Sequence, residues 1–146
     1  MTVGLRPLDA GNWQACRDLR VADDQRRFVA STAEYAMLCT YGGIWHPVTV
    51  YAGDAMVGFA MWGVDPADGS FWIGGLLIDR AHQRRGYGRA ALLALIDEGR
   101  TRGHRRFALS YAPDNPARAL YRALGFVETG EREGDELVAR LEPASP

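Results

Sequence analysis

Apolar and polar residues alternate from Val3 to Pro7, which reads as a short first strand. Asp9 has the form of a helix N-cap, and Trp13, Cys16 and Leu19 recur at helical spacing, predicting an amphipathic helix through about Val21. A charged, exposed link, Asp23 to Phe28, follows. Ser31-Thr32-Ala33-Glu34 has the form of a capping box ahead of Tyr35, Met37, Leu38 and Tyr41, so a second helix is expected to end at Gly42-Gly43. Val48 to Ala52 and Met56 to Gly63 are strands around Gly53-Asp54, a pair suited to a tight hairpin. Phe71 to Ile78 is apolar on both faces and reads as a central strand; Gly74-Gly75 inside it marks a bulge or the close approach of a ligand.

The second half continues with a helix from about Gly88 to Arg100 that puts Leu92, Leu95, Ile96 and Gly99 on one face and ends at Gly103. Phe107 to Ser110 is a strand. Asn115 is an N-cap with Pro116 at the first helical position, and Gly125 closes that helix. Phe126 to Thr129 and Leu137 to Leu141 form a last pair of strands around Glu133-Gly134-Asp135, and Pro143 to Pro146 is a frayed tail. No repeat or linker divides the chain, so residues 1–146 are expected to form one α/β (α+β) domain.

Between the central strand and its following helix lies Gln83-Arg84-Arg85-Gly86-Tyr87-Gly88-Arg89, with the form strand, glycine turn, helix. Two glycines permit positive φ and close backbone approach, and the helix start offers unpaired N–H groups at a positive dipole end. With the arginines beside it, this stretch suits a pyrophosphate. A dinucleotide site of Rossmann type competes for that reading and fails, because the expected chain start, third glycine and downstream acidic ribose partner are missing.

Charge sharpens the picture. All 17 basic residues are arginine, clustered mid-chain, against an acidic C-terminal end holding Glu128, Glu131, Glu133, Asp135, Glu136 and Glu142. The net charge of −1 argues against a general nucleic-acid binder, whereas the acidic end suits a cationic substrate or a solvated hairpin face. Cys16 and Cys39 have no metal-ligand spacing and read as reduced thiols; His46, His82 and His104 are scattered, so no metal is expected. No apolar run approaches a membrane span and no cleavable leader opens the chain, so the reading is cytoplasmic, with no membrane partner.

The order β, two helices, three strands, helix, strand, helix, two strands brings two longer stretches into view. Through Leu76-Leu77-Ile78-Asp79-Arg80-Ala81-His82-Gln83-Arg84-Arg85-Gly86-Tyr87-Gly88, and through Asn115 to Phe126, the chain resembles the GNAT acetyltransferase superfamily over nearly its full length. Within it, Leu5-Arg6-Pro7-Leu8, Phe28-Val29-Ala30-Ser31, Val57-Gly58-Phe59 and Asp65-Pro66 look like bacterial spermine/spermidine (diamine) acetyltransferases. The resemblance implies a mixed central sheet of about six to seven strands flanked by about four helices, and an acetyl-CoA-dependent N-acetyltransferase acting on a primary amine of a small molecule, with a homodimer allowed. An aminoglycoside or a protein N-terminus is the alternative acceptor; a CoA-binding module without turnover is the alternative of another class.

By that resemblance the pyrophosphate of acetyl-CoA would lie on Gln83, Arg84, Arg85, Gly86, Tyr87, Gly88 and Arg89. The pantetheine arm would pair along Leu76, Leu77 and Ile78, with Asn115 as a further contact and the Leu76 N–H on the thioester oxygen. Tyr121 would serve as general acid toward the CoA thiolate. Many relatives carry a basic carboxylate on the fourth strand, whereas Trp72-Ile73-Gly74-Gly75 has none. Either a more distant carboxylate acts through a water chain, with Glu34, Asp24 and Glu128 as candidates, or the pocket binds the neutral amine; Trp72 and Gly74 lie on the substrate side, with Tyr35, Tyr41, Trp45 and Trp62 as candidate aromatic walls.

Overall fold

A computed structural model describes residues 2–143; the end of the expected tail, residues 144–146, lies outside the described residues. Seven strands form one mixed sheet: β1 (Gly4–Pro7), β2 (His46–Ala52), β3 (Ala55–Val64), β4 (Phe71–Ile78), β5 (Phe107–Tyr111), β6 (Val127–Glu133) and β7 (Glu136–Leu141), in the order β1-β2-β3-β4-β5-β7-β6. All neighbouring pairs run antiparallel except β4 with β5. The helices are α1 (Trp13–Arg17), α2 (Thr32–Tyr41), α3 (Tyr87–Thr101) and α4 (Arg118–Ala123). None is long and apolar enough to cross a membrane.

Register assigns the two faces. Met61 stands opposite Gly74 and Gly63 opposite Trp72, and Met61 packs with Cys16, Leu19, Phe59 and Leu77 beneath α1 and α2. On the reverse face Phe71, Ile73, Phe107, Leu109 and Tyr111 meet Leu92, Leu95 and Ile96 of α3. Trp62 stacks on Phe71 at 5.2 Å between ring centroids, and Phe107 meets Phe71 edge-on at 5.5 Å. Each of these buried side chains contributes about 1.5–3 kcal/mol by leaving water, so this face is the main stabilising layer.

The glycine pair in β4 makes the expected bulge. Between the pairs Phe59–Leu77 and Met61–Gly74, β3 advances two residues and β4 three, with Gly75 at φ +58°. The extra residue breaks the alternation: Gly74 and Leu77 share the α1–α2 side, and Leu76 joins the α3 side instead. The Gly53-Asp54 hairpin also forms as expected, with Ala52 opposite Ala55 and Gly53 at φ +61°.

Three boundaries differ from the sequence reading. The first helix stops at Arg17 rather than near Val21, because the next backbone groups are taken by the segment after β4: the Arg20 N–H donates to Asp79 Oδ1 at 2.8 Å, and the Arg80 N–H to the Arg20 carbonyl at 2.6 Å. Asp9 does not cap it; its carboxylate accepts from the Gly11 and Asn12 N–H groups in a local turn. The link after it is not wholly exposed, since Asp23–Gln25 forms a 3-10 turn with Gln25 half-buried.

The fourth helix likewise begins at Arg118, and Asn115 shapes the turn before it by accepting from the Ala117 N–H at 2.9 Å. The last hairpin has longer strands than expected and the two-residue turn Gly134-Asp135. By contrast, Ser31 caps α2 as read, accepting from the Glu34 N–H at 3.1 Å.

Gly99 is where α3 comes closest to the sheet: a Cβ there would lie 2.4 Å from Phe107 Cε1 and 3.2 Å from Phe71 Cδ1. Both rings are fully buried and cannot step aside. Gly99→Ala should therefore destabilise the fold by about 1–3 kcal/mol despite alanine's better helix propensity. Urea unfolding measures this, and an unchanged or raised midpoint would show that the layer can relax.

Candidate functional site

The central sheet parts in the middle. β4 and β5 pair only at Phe71–Phe107 and Trp72–Ala108, after which the strands separate and leave the rest of β4 without a strand on that side. A cleft of about 900 Å³ fills the gap. Its walls include Ile73 to Ile78 of β4, Leu109 to Tyr111 of β5 and Asn115 to Ala117 before α4. Gly75 and Leu76 have no register partner on β3 either, so the bulge interrupts the ladder beside the cleft.

At one end the cleft meets the glycine turn. Gly86 sits at φ +81° as the N-cap of α3, and no side chain caps this 15-residue helix. Arg84 is at φ +63°, alone among the described non-glycine residues in adopting positive φ, a conformation that costs about 1–3 kcal/mol and is kept where the backbone has a task. The first-turn N–H groups of α3 therefore face solvent at a positive dipole end, beside Arg84.

Of the predicted phosphate residues, Arg84, Gly86, Tyr87 and Gly88 line the cleft, whereas Arg85 and Arg89 are exposed outside its lining. Gln83 lines it too, with its side chain already engaged: its Nε2 donates to Ile78 O at 2.9 Å and to Gln25 Oε1 at 2.6 Å. Gln25 returns a bond to Gln83 Oε1 at 3.1 Å. That amide pair ties the loop to the 3-10 turn and spends one lone pair of the Ile78 carbonyl.

Leu76, Leu77, Ile78 and Asn115 all line the cleft, with the Leu77 side chain buried in the α1–α2 core. Tyr121 lines it from α4, stacked on Tyr111 at 5.2 Å. Burial pushes the Tyr121 phenol up to about 12, with the charge of Glu136 among the lesser causes.

Trp72 and Gly74 lie in the walls on the α1–α2 side, with Phe28, Tyr35 and Trp45. A Cβ on Gly74 would come within 3.1 Å of the Trp45 ring, so the glycine makes room for that indole. Tyr35 is held by the Ala30 N–H, which donates to its hydroxyl at 2.9 Å, and stacks on Phe59. Trp72 Nε1 donates to the fully buried Ser70 Oγ at 3.1 Å, which fixes the indole. Tyr41 points away, 82% exposed, and Trp62 belongs to the core.

Two base candidates are misplaced. Glu34 is exposed and outside the cleft. Glu128 is also outside, clamped by Arg118 through bonds of 2.7 and 2.9 Å and by the Tyr111 hydroxyl at 2.7 Å. The Arg118 bond, then that of Tyr111, lowers its carboxyl to about 2, which leaves a very weak base. Its task is to pin α4 to β5 and β6. Asp24 does line the cleft, on the 3-10 turn whose Gln25 joins the loop.

The residues that sequence reasoning missed here are Glu133 and Glu136, which face each other across the β6–β7 turn and both line the cleft. Their only signal was membership of the acidic C-terminal end, which does not say which face a hairpin residue takes.

The model of the acetyltransferase (GNAT) family matches residues 12–126. The spermine/spermidine N(1)-acetyltransferase of Bacillus subtilis (strain 168) is 32% identical over 142 residues, covering 90% of this chain and 91% of that protein. Among solved structures, spermidine N-acetyltransferase from Vibrio cholerae in complex with CoA and spermine aligns with a TM-score of 0.72 at 21% identity, covering 95% of this chain and 93% of that one. The ribosomal-protein-S18-alanine N-acetyltransferase from Escherichia coli gives 0.71 at 23%, covering 99% and 96%. At these identities the two structures speak for the fold.

Gly86→Val places a β-branched residue at positive φ and a side chain where the backbone would meet an anion. Its affinity for coenzyme A should fall by about 100-fold or more, roughly 2.7 kcal/mol, by calorimetry. Affinity within a few-fold of the unaltered chain would remove this loop from pyrophosphate binding.

Proposed function

The chain belongs to the GNAT acetyltransferase family and is an acetyl-CoA-dependent N-acetyltransferase; on that basis we propose that its acceptor is a small, flexible alkylamine of the polyamine class. The observation that carries this reading is the wall chemistry on the α1–α2 side: Phe28, Tyr35, Trp45 and Trp72 with Glu133 and Glu136. Aromatic faces and carboxylates both attract alkylammonium groups. Two carboxylates on this one wall suit an acceptor with more than one ammonium. The names of the Bacillus relatives point the same way.

The residues present fit acetyl-CoA. Uncapped N–H groups at the start of α3 and the Arg84 backbone would hold a pyrophosphate, and the unpaired edge of β4 would take a peptide-like arm as an added strand. Once bound, acetyl-CoA supplies a thioester whose carbonyl carbon is the electrophile. The Leu76 N–H, at the bulge in β4, would donate to the thioester oxygen and stabilise charge developing there.

Tyr121 acts at the sulfur. A phenol near 12 keeps its proton throughout the working range, and complete transfer to a thiolate, whose conjugate acid has a pKa of about 8.5, would run uphill. Its contribution is a hydrogen bond from Oη that stabilises the departing charge. Cys16 and Cys39, both free thiols, suit a reducing cytoplasmic setting, and the exposed Met37 and Tyr41 of α2 offer a surface for a homodimer.

Thiol release from acetyl-CoA, measured with spermine, spermidine, diaminobutane, an aminoglycoside and a peptide bearing a free N-terminus, should be fastest for a polyamine by at least tenfold in kcat/KM, roughly 1.4 kcal/mol. Preference for the peptide or the aminoglycoside would replace this acceptor assignment. With the best amine, Tyr121→Phe should lower kcat by about 10²-fold while coenzyme A affinity is unchanged. An unaltered kcat would remove Tyr121 from the chemistry.

A further inference from the structure

An alkylammonium cannot attack until it has lost a proton, and its pKa of about 10.4 leaves roughly one molecule in a few thousand neutral at pH 7. Trp72-Ile73-Gly74-Gly75 of β4 offers no carboxylate to take that proton, Glu34 lies outside the cleft, and Glu128 is committed to Arg118; of the aspartates in the cleft wall, Asp24 is exposed on the 3-10 turn and Asp65 accepts from the Ala67 N–H of its own loop. Glu136 is differently placed. It opens β7 and is half-buried in the cleft wall, where its Oε1 accepts from Ser110 Oγ at 2.8 Å. Among the described residues no arginine or histidine lies within ion-pairing distance of it.

We propose that Glu136, oriented by Ser110, pairs with the acceptor's ammonium and takes its proton, replacing the carboxylate that β4 lacks. This assignment rests on the proposed acceptor class. Ser110 follows the last β4–β5 pair, Trp72–Ala108, by two residues, so it stands on the same sheet face as Trp72, where the strands separate. Its hydroxyl donates to one carboxylate oxygen and leaves Oε2 free for the amine. Tyr35 and Tyr121 line the same cleft, and the charge of Glu136 is among the lesser causes that push both phenols up.

Protons balance simply. The ammonium passes one proton to Glu136, directly or through one water, and the neutral nitrogen forms the N–C bond as the C–S bond breaks. The nitrogen loses a second proton as it becomes an amide nitrogen. One of the two ends on the thiol sulfur and the other leaves Glu136 for solvent, so ammonium plus thioester gives amide, thiol and one released proton. The titratable groups facing Glu136 are Glu133 across the hairpin turn, Tyr35 of α2 and Tyr121 of α4. Of these only Glu133 is a carboxylate, opposite Glu136 in the β6–β7 register.

The test compares Glu136→Gln and Ser110→Ala with the unaltered chain, using spermidine from pH 6.5 to 10. At pH 7 Glu136→Gln should lose about 10²-fold or more in kcat/KM, and Ser110→Ala less. The deficit of Glu136→Gln should shrink toward unity as pH approaches the amine pKa, where neutral amine needs no base. Calorimetry without acetyl-CoA should show spermidine binding weakened about tenfold in Glu136→Gln, with coenzyme A affinity unchanged. A deficit that stays constant with pH, a kcat/KM equal to that of the unaltered chain at pH 7, or undiminished spermidine binding each overturns the assignment. If the unaltered chain acetylates no amine of the panel, the acceptor class fails and Glu136 with it; if it acetylates spermidine and Glu136→Gln does so equally well, only Glu136 fails.

Discussion

Two strands that begin side by side and then part are the constraint on which this molecule turns. β4 and β5 share two residue pairs, Phe71–Phe107 and Trp72–Ala108, and the rest of β4 then runs without a strand on that side. Unpaired backbone in a sheet interior is ordinarily costly, because each buried N–H or C=O that loses its partner loses a hydrogen bond. Here that edge of β4 opens onto the cleft. Anchoring on both sides keeps the gap open. Trp62 stacked on Phe71, with Phe107 edge-on to that ring, holds the closed end, while Arg118, Glu128 and Tyr111 pin α4 at the open end.

Glycine does its part at two points in the same cleft. In β4, Gly75 at φ +58° permits the bulge beside Leu76, and Gly74 yields the volume into which Trp45 packs. In the turn after β4, Gly86 at φ +81° starts α3 without a side-chain cap. The strained Arg84 beside it is stabilised indirectly, since Gln83 is tied to Gln25 and to the Ile78 carbonyl. One residue type thus serves both ends of the site by leaving backbone uncovered.

Charge is divided across the cleft. Arg84 and the α3 dipole favour an anion at one end, and Glu133 with Glu136 favours a cation on the α1–α2 side. Of the carboxylates that the sequence offered, the difference between Glu128 and Glu136 lies in their partners. Glu128 has Arg118 and is spent on structure, whereas among the described residues Glu136 has only the Ser110 hydroxyl as a side-chain partner. Neither fate is visible in composition, because both residues belong to one acidic run.

The linear chain by itself determined the order of strands and helices, the hairpin at Gly53-Asp54, the bulge at Gly74-Gly75, the Ser31 cap and the glycine turn before α3. Each of these is set within a few residues by φ preferences, local hydrogen bonds or hydrophobic period. Only the tertiary structure decided where the first helix stops, since Asp79 and Arg80 claim the backbone of Arg20 across 59 and 60 positions of sequence. It alone decided which carboxylates reach the cleft. Glu34 and Glu128 drop out and Glu133 and Glu136 enter, because the face a side chain takes depends on strand register and on which arginine is nearest in space, and neither quantity is local in sequence.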